Sequence, residues 1–246
     1  LDIATYFRGA SPSLTGGFTV SRNISTPGNI LFEPAEQFYN VGIFCSGMDA
    51  ADLDGDGLLD FLLNSSGLYY ARNISTPGNI EFATLRFLNA SAGAVSTKDL
   101  NGDGKPEIMV VGTGFNLLEN ISTPGNIQFA APVNFPGSAV SGITMADLDS
   151  DNKADILYYR INGFNDYDLV VKKNIHTTGA LSIASFDADI ILSSVNRAYS
   201  QRVADLNGDG KPDILIGLNS GSTGYGFGVF ESKVEPGTLN TSSFLP

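Results

Sequence analysis

Two different motifs repeat along this chain with one shared period. The first is a polar turn, read as RNISTPGNILF from Arg22, RNISTPGNIEF from Arg72 and ENISTPGNIQF from Glu119. A degraded copy, KNIHTTGALSI, starts at Lys173, and a fainter one, SKVEPGTL, at Ser232. The second is an acidic loop running into apolar residues: ADLDGDGLLDFLL from Ala51, KDLNGDGKPEIMVV from Lys98, ADLDSDNKADILYY from Ala146 and ADLNGDGKPDILIG from Ala204. The turn asparagines 23, 73, 120 and 174 are spaced by 50, 47 and 54; the first loop aspartates 52, 99, 147 and 205 by 47, 48 and 58. Two motifs on one period mean one supersecondary unit copied along the chain, each copy burying its faces against its neighbours.

Within a unit the pattern is all strand: apolar runs of four to eight residues bounded by Gly, Asn, Asp and Pro. In the second unit the runs predict strands over 42–51, 60–63, 68–72 and 80–87, with the acidic loop joining the first two and the STPG turn the last two. Pro fixes one φ of that turn and Gly supplies a positive one. Four short antiparallel strands at this period predict a β-propeller blade. The expected fold is therefore all-β, a β-propeller of about five four-stranded blades in one domain, with units near 1–40, 41–90, 91–138, 139–195 and 196–246. Leu1–Ala4 aligns with Leu59–Leu62, so the first blade is expected to lack its first strand. The chain thus reads as part of a longer polypeptide, and of a larger propeller in one alternative. Its start, LDIATYFRG, carries no leader pattern.

Each acidic loop offers oxygens at its positions 1, 3, 5 and 9. They are Asp52, Asp54, Asp56 and Asp60; Asp99, Asn101, Asp103 and Glu107; Asp147, Asp149, Asp151 and Asp155; and Asp205, Asn207, Asp209 and Asp213. Position 7 (Leu58, Lys105, Lys153, Lys211) is expected to ligate through its carbonyl, which leaves its side chain free to vary. Six to eight oxygens suit Ca²⁺, whereas Mg²⁺ resists all-protein cages. Gly57, Gly104 and Gly210 at position 6 allow the sharp reversal, and Asn152 is the next best residue there. An EF-hand is excluded, because its bidentate Glu at position 12 is replaced by Leu63, Val110, Tyr158 and Ile216. Converging carboxylates with no cation repel one another, so about four Ca²⁺ are expected.

In these loops and the strands after them, the chain resembles the FG-GAP-type repeat family, the calcium-loop blades of integrin α-subunit heads and of many secreted bacterial proteins. The flanking Phe-Gly and Gly-Ala-Pro signatures are absent, so the match is to the broader bacterial-style repeat. The resemblance implies structural Ca²⁺ at one rim, an extracellular or cell-surface location, and relatives that are adhesins, lectins or propeller domains attached to enzymes.

Charge narrows the partners. Lys plus Arg is 14 against 26 Asp plus Glu, a net −12, which excludes nucleic acid and disfavours an anionic membrane surface. Fourteen of those acids lie in the four loops, and four Ca²⁺ would bring −12 to −4. No apolar run approaches the ~20 residues of a membrane helix. At 42% hydrophobic and 16% charged, the composition is that of a folded chain.

The leading functional expectation is a non-catalytic recognition module binding a glycan or a surface protein. Stacking surfaces are sought among Tyr69, Tyr70, Tyr158, Tyr159, Tyr167 and Tyr225, although packing between blades accounts for most of them. The variable rims 162–168 and 220–226 are where a binding surface would be built. The rival readings are the propeller domain of a polysaccharide-degrading enzyme and a purely structural repeat. No placed pair emerges among Glu33, Glu36, Glu81, Asp166, Asp168, Asp187 and Asp189. His176, the single histidine, takes the slot of Ser25, Ser75 and Ser122 and reads as an exposed turn residue. Cys45, the single cysteine, reads with Val41 and Ile43 as a small buried hydrophobe. Asn23, Asn73, Asn120, Asn64, Asn89 and Asn240 fit the glycosylation acceptor pattern, and turn chemistry explains the repeated first three equally well.

Overall fold

The computed structural model describes residues 2–7, 17–38, 47–91, 93–137, 140–163, 166–196, 198–219 and 225–246. Among them the chain is all-β, with one short 3-10 turn at Ile183–Ser185. Its strands form five antiparallel sheets of propeller-blade type, the first three-stranded and the others four-stranded. Cys45, with Val41 and Ile43, lies outside the described residues, as do parts of both variable rims.

The chain divides into two compact units, residues 1–52 with 56–92, and residues 53–55 with 93–246. In the first unit, β1 (Ile3–Phe7), β2 (Gly17–Ser21) and β3 (Glu36–Phe38) make one sheet. The other contains β4 (Gly47–Ala51), β5 (Asp60–Asn64), β6 (Leu68–Ala71) and β7 (Arg86–Asn89). Asn23 N–H donates to Asp2 at 2.8 Å just as Asn73 N–H donates to Asp60 at 2.8 Å, so β1 corresponds to β5. The first sheet therefore shows the second, third and fourth strands of a blade, as its alignment predicts. An aromatic cluster closes this unit, with Phe18 4.7 Å from Phe61 and 5.2 Å from Phe82.

The second unit has three sheets. They are β8 (Val95–Lys98) to β11 (Val133–Phe135), through β9 (Glu107–Gly112) and β10 (Gly114–Leu118); β12 (Val140–Ala146), β13 (Asp155–Ile161), β14 (Asp166–Lys172) and β15 (Ile190–Asn196); and β16 (Ala198–Ala204), β17 (Asp213–Asn219), β18 (Tyr225–Ser232) and β19 (Phe244–Leu245). The run Ile156-Leu157-Tyr158-Tyr159 shows why these strands are apolar throughout. Period two sends Ile156 and Tyr158 into a core shared with Met109, Phe115 and Leu117 of the preceding sheet. Leu157 and Tyr159 enter the core shared with Ile214, Ile216 and Phe230 of the following sheet. A blade between two blades has no solvent face to mark with polar residues.

The turn motif is a small hairpin of its own. Thr26 and Asn29 exchange two backbone bonds at 3.0 and 2.9 Å across Pro27-Gly28, and Gly28 has φ +83°. Asn23 Oδ1 accepts the Ser25 N–H, and Ser25 Oγ accepts the Leu31 N–H, at 2.8 and 2.9 Å. This self-contained ladder explains one departure from the sequence reading. The strand expected over 80–87 starts at Arg86, because Ile80–Ala83 are engaged in the turn hairpin through the Ile74–Glu81 and Ala83–Arg72 bonds. The strand expected over 42–51 is seen from Gly47, residues 39–46 lying outside the described set.

Leu157 is fully buried between sheets, so Leu157→Ala is expected to cost about 2–5 kcal/mol in chemical denaturation of the whole chain. A loss under 1 kcal/mol would contradict a close-packed interface at that position.

Candidate functional site

The acidic loops are built from Asx-type turns. At position 1, each carboxylate takes two backbone N–H groups from further round its loop. Asp99 accepts from Gly102 and Gly104 at 2.7 and 2.8 Å, and Asp205 from Gly208 and Gly210 at 2.7 and 2.9 Å. Asp52 accepts from Asp56 and Gly57, and Asp147 from Asp151 and Asn152. The Gly210 and Gly208 N–H groups hold Asp205 below the usual carboxylate range. At position 5, Asp56, Asp103, Asp151 and Asp209 each accept the N–H of position 7 at 2.9 Å.

This winding requires left-handed backbone at two places. Position 6 has φ between +66° and +87° at Gly57, Gly104, Asn152 and Gly210, as its residue types predict. Position 4 is equally left-handed at Gly55, Gly102, Ser150 and Gly208, a requirement the sequence reading missed although Gly recurs there. The third loop alone has side chains at both places, with Ser150 at +58° and Asn152 at +66°.

Position 9 has a second role that the loop motif does not announce. Glu107 accepts the Leu100 N–H at 2.7 Å and the Asn120 N–H at 3.3 Å. Asp155 likewise takes Leu148 and Asn174 at 3.0 and 2.8 Å, and Asp213 takes Leu206 and Ser232 at 2.9 and 2.8 Å. Each of these buried acids ties the loop start to the turn of its own sheet. Burial raises Glu107 and Asp155 to about 7, against the lowering pull of those N–H bonds, and neighbouring loop acids add to the rise. With no cation present, this contribution favours the fold at low pH, fully so below the ordinary carboxylate range, and is lost as pH rises through about 7. A bound cation would reverse that cost.

The turn asparagine completes the joint. Asn174 Nδ2 donates to Ala154 O at 3.1 Å in its own sheet and to Leu100 O at 2.8 Å in the loop of the preceding sheet. Asn120 Nδ2 donates to Pro106 O at 3.0 Å and, within the same unit, to Leu53 O at 2.9 Å. Asn73 Nδ2 donates to Leu59 O at 3.0 Å. In the folded chain Asn73 and Asn120 both do turn chemistry: each Oδ1 accepts the N–H two residues on, and each Nδ2 donates to backbone carbonyls. Gly125 N–H, from the turn that holds Asn120, also donates to Asp54 at 2.9 Å.

Within the second unit the structure gathers the carboxylates of the third loop. Asp147, Asp149 and Asp151, all in the second unit, bring carboxylate oxygens within 4.8 Å of one another. Asp149 is 0% exposed, and its Oδ1 has no hydrogen-bond partner. A buried, unpartnered carboxylate oxygen inside a carboxylate cluster is the chemistry of a cation site, so the residues fit Ca²⁺. At position 7 the side chains are not idle: Lys153 Nζ donates to His176 O and Lys211 Nζ to Val234 O, each at 2.8 Å.

His176 is not an exposed turn residue. It is 8% exposed, with Nδ1 3.2 Å from Ser185 Oγ, because its turn folds back over the 3-10 segment. Among the candidate acids, Asp168 and Asp189 both pair with Arg160, at 2.9 and 3.2 Å, and Asp189 also pairs with Lys172 at 2.6 Å. Asp168 is held below its ordinary value by the Arg160 and Asn162 bonds. Arg160, Lys172 and Asp189 border a cleft of about 290 Å³ in the second unit, lined also by Phe115, Phe135 and Tyr158. The sequence reading missed it; the available signal was the placement of Tyr158 and Arg160 on one face of β13. Tyr158 and Tyr159 are buried, as packing between blades requires, and Tyr69, Tyr70 and Tyr167 are half-buried. Tyr225 is 88% exposed and lies beside Phe227, 75% exposed, on β18.

Residues 52–110 and 99–158 each match the family model of the FG-GAP-like repeat. Each match runs from one acidic loop through the next and into the strand that follows. No curated protein matches the chain.

The strained third loop gives a direct test. Ser150→Gly is expected to raise stability by about 1 kcal/mol, since a left-handed L-residue costs roughly that much. Asn174→Ala, which strands two carbonyls, is expected to lower it by about 2 kcal/mol or more. Both are read by urea denaturation, and the opposite sign for either would contradict the loop geometry.

Proposed function

We propose that this chain of FG-GAP-like repeats is a calcium-stabilised extracellular recognition module, binding a glycan or a surface protein without catalysis. The observation that carries the calcium reading is the cluster of Asp147, Asp149 and Asp151 with its buried, unpartnered Asp149 oxygen. In the same reading Asp99, Asn101, Asp103 and Glu107, and their counterparts in the other loops, hold one ion each, about four in all. The position-7 carbonyls add a backbone ligand. Bound ions would neutralise the loop acids and leave the Asx winding in place, so the ions act on stability. No helix among the described residues is long and apolar enough to cross a membrane.

Binding without catalysis is supported by how the remaining polar groups are engaged. His176 is turned inward, and Asp168 and Asp189 are held by Arg160 and Lys172. The aromatic-floored cleft around Phe115, Phe135 and Tyr158, and the exposed pair Tyr225 and Phe227, offer apolar faces with polar edges. Such surfaces suit sugar rings and protein side chains alike.

Chelation should lower the thermal midpoint of the whole chain by several degrees, and calcium should restore it. An unchanged midpoint at millimolar Ca²⁺ and in chelator would remove the calcium reading. For the ligand, a glycan array probed with and without Ca²⁺ should show binding that Tyr225→Ala or Arg160→Ala weakens. Turnover of a polysaccharide by the purified chain would overturn the non-enzyme reading.

A further inference from the structure

We propose that Lys173 is the resident cation of the third acidic loop. Its ammonium holds this loop together without a divalent ion, and the loop consequently takes calcium more weakly than the second and fourth. The ranking of affinities rests on the calcium reading above; the residency of Lys173 does not.

Lys173 immediately follows β14 and precedes the turn residue Asn174. Its Nζ donates to Asp149 and Gly237 O (2.6 Å) and lies 3.3 Å from Asp151. Three acceptors surround an ammonium that has three N–H donors. Gly237 N–H in turn donates to Asp149 O at 2.8 Å, so loop, ammonium and the turn of the next sheet form one closed set. The side chain is thus fixed at both ends of its contact, unlike a surface lysine swinging in solvent.

Asp149 divides its two oxygens. One binds Lys173, and the other, Oδ1, is buried with no partner. An ion entering the third loop would ligate that oxygen and share the carboxylate with the ammonium. Two cations on one carboxylate repel strongly in a buried setting. Entry is therefore possible and disfavoured.

The other repeats support this reading. The residue before the turn motif is Arg72 after the first loop, Glu119 after the second and Glu231 after the fourth. Arg72 Nη2 pairs with Asp56 Oδ2 at 2.7 Å in the first loop. Both loops followed by a cation have Asp at position 3, Asp54 and Asp149; both followed by an acid have Asn there, Asn101 and Asn207. The extra loop carboxylate travels with the extra cation. In the fourth repeat, Glu231 points its carboxylate to within 3.5 Å of Asn207 Nδ2.

The test uses the whole chain, its Lys173→Met, Lys173→Arg and Asp149→Asn/Lys173→Met variants, thermal melting in EDTA, and calorimetric titration with CaCl₂. In EDTA, Lys173→Met should melt several degrees lower, with Lys173→Arg close to the parent. Removing the stranded carboxylate in the double variant should recover most of that loss. Equal melting of the parent and Lys173→Met in EDTA, or no recovery in the double variant, would overturn the residency of Lys173. In the titration, the parent should show separate tight and weak classes, and Lys173→Met should tighten the weak class at least tenfold. A Lys173→Met isotherm that superposes on the parent's would overturn the ranking. A parent chain that takes up no calcium would sink the calcium reading with the ranking, while the EDTA melts, which involve no calcium, still decide the role of Lys173.

Discussion

The fold depends on a buried carboxylate at the end of each acidic loop. Glu107, Asp155 and Asp213 each use both oxygens on backbone N–H groups, one at the loop start and one at the turn motif of the same sheet. Those donors lie in loops, turns or the last residue of a strand, and leaving one unpaired in the interior costs about 1–3 kcal/mol. One side chain settles two of them and joins the two ends of the blade's central hairpin. The cost appears in the carboxyl itself, which burial pushes toward neutrality in Glu107 and Asp155.

A second layer of bonds carries this joint from sheet to sheet. Within the second unit, Asn174 reaches back to the Leu100 carbonyl in the loop of the preceding sheet, and Asn120 to the Leu53 carbonyl. Gly237 and Gly125 dock the following turn on Asp149 and Asp54. In the first unit, Arg22 donates to Gly78 O at 3.3 Å, as Lys173 does to Gly237 O. In the second unit the third acidic loop is therefore a seat for the next sheet's turn.

Much of this was legible residue by residue, and the gaps have physical causes. Gly57, Gly104, Asn152 and Gly210 announced left-handed backbone because few other residues tolerate it. The same logic applied to position 4 was obscured by Ser150, a side chain that breaks the Gly pattern at the place where the backbone does not change. The burial of His176 was hidden because its slot holds Ser in three sister turns, and only the folded-back Ser185 makes it an interior position. The cleft beside Tyr158 was hidden for another reason. Its lining comes from β10, β11, β13, β14 and their connections, which the sequence keeps up to 75 residues apart.

The sequence by itself determined the repeating unit: that it is made of short strands, which turns need Pro, Gly or Asn, and where the acidic residues recur. Those are local matters, set by backbone dihedrals and side-chain period over a dozen residues. Only the tertiary structure decided which loop meets which turn, and so gave Asn174 its carbonyl 74 residues away and Lys173 its glycine 64 residues away. Periodicity states that neighbours must pack, because each sheet has two apolar faces to cover. It does not state which polar atoms meet when they do. That depends on the side chain at one position in one repeat, as the Lys173 that takes the place of Glu119 demonstrates.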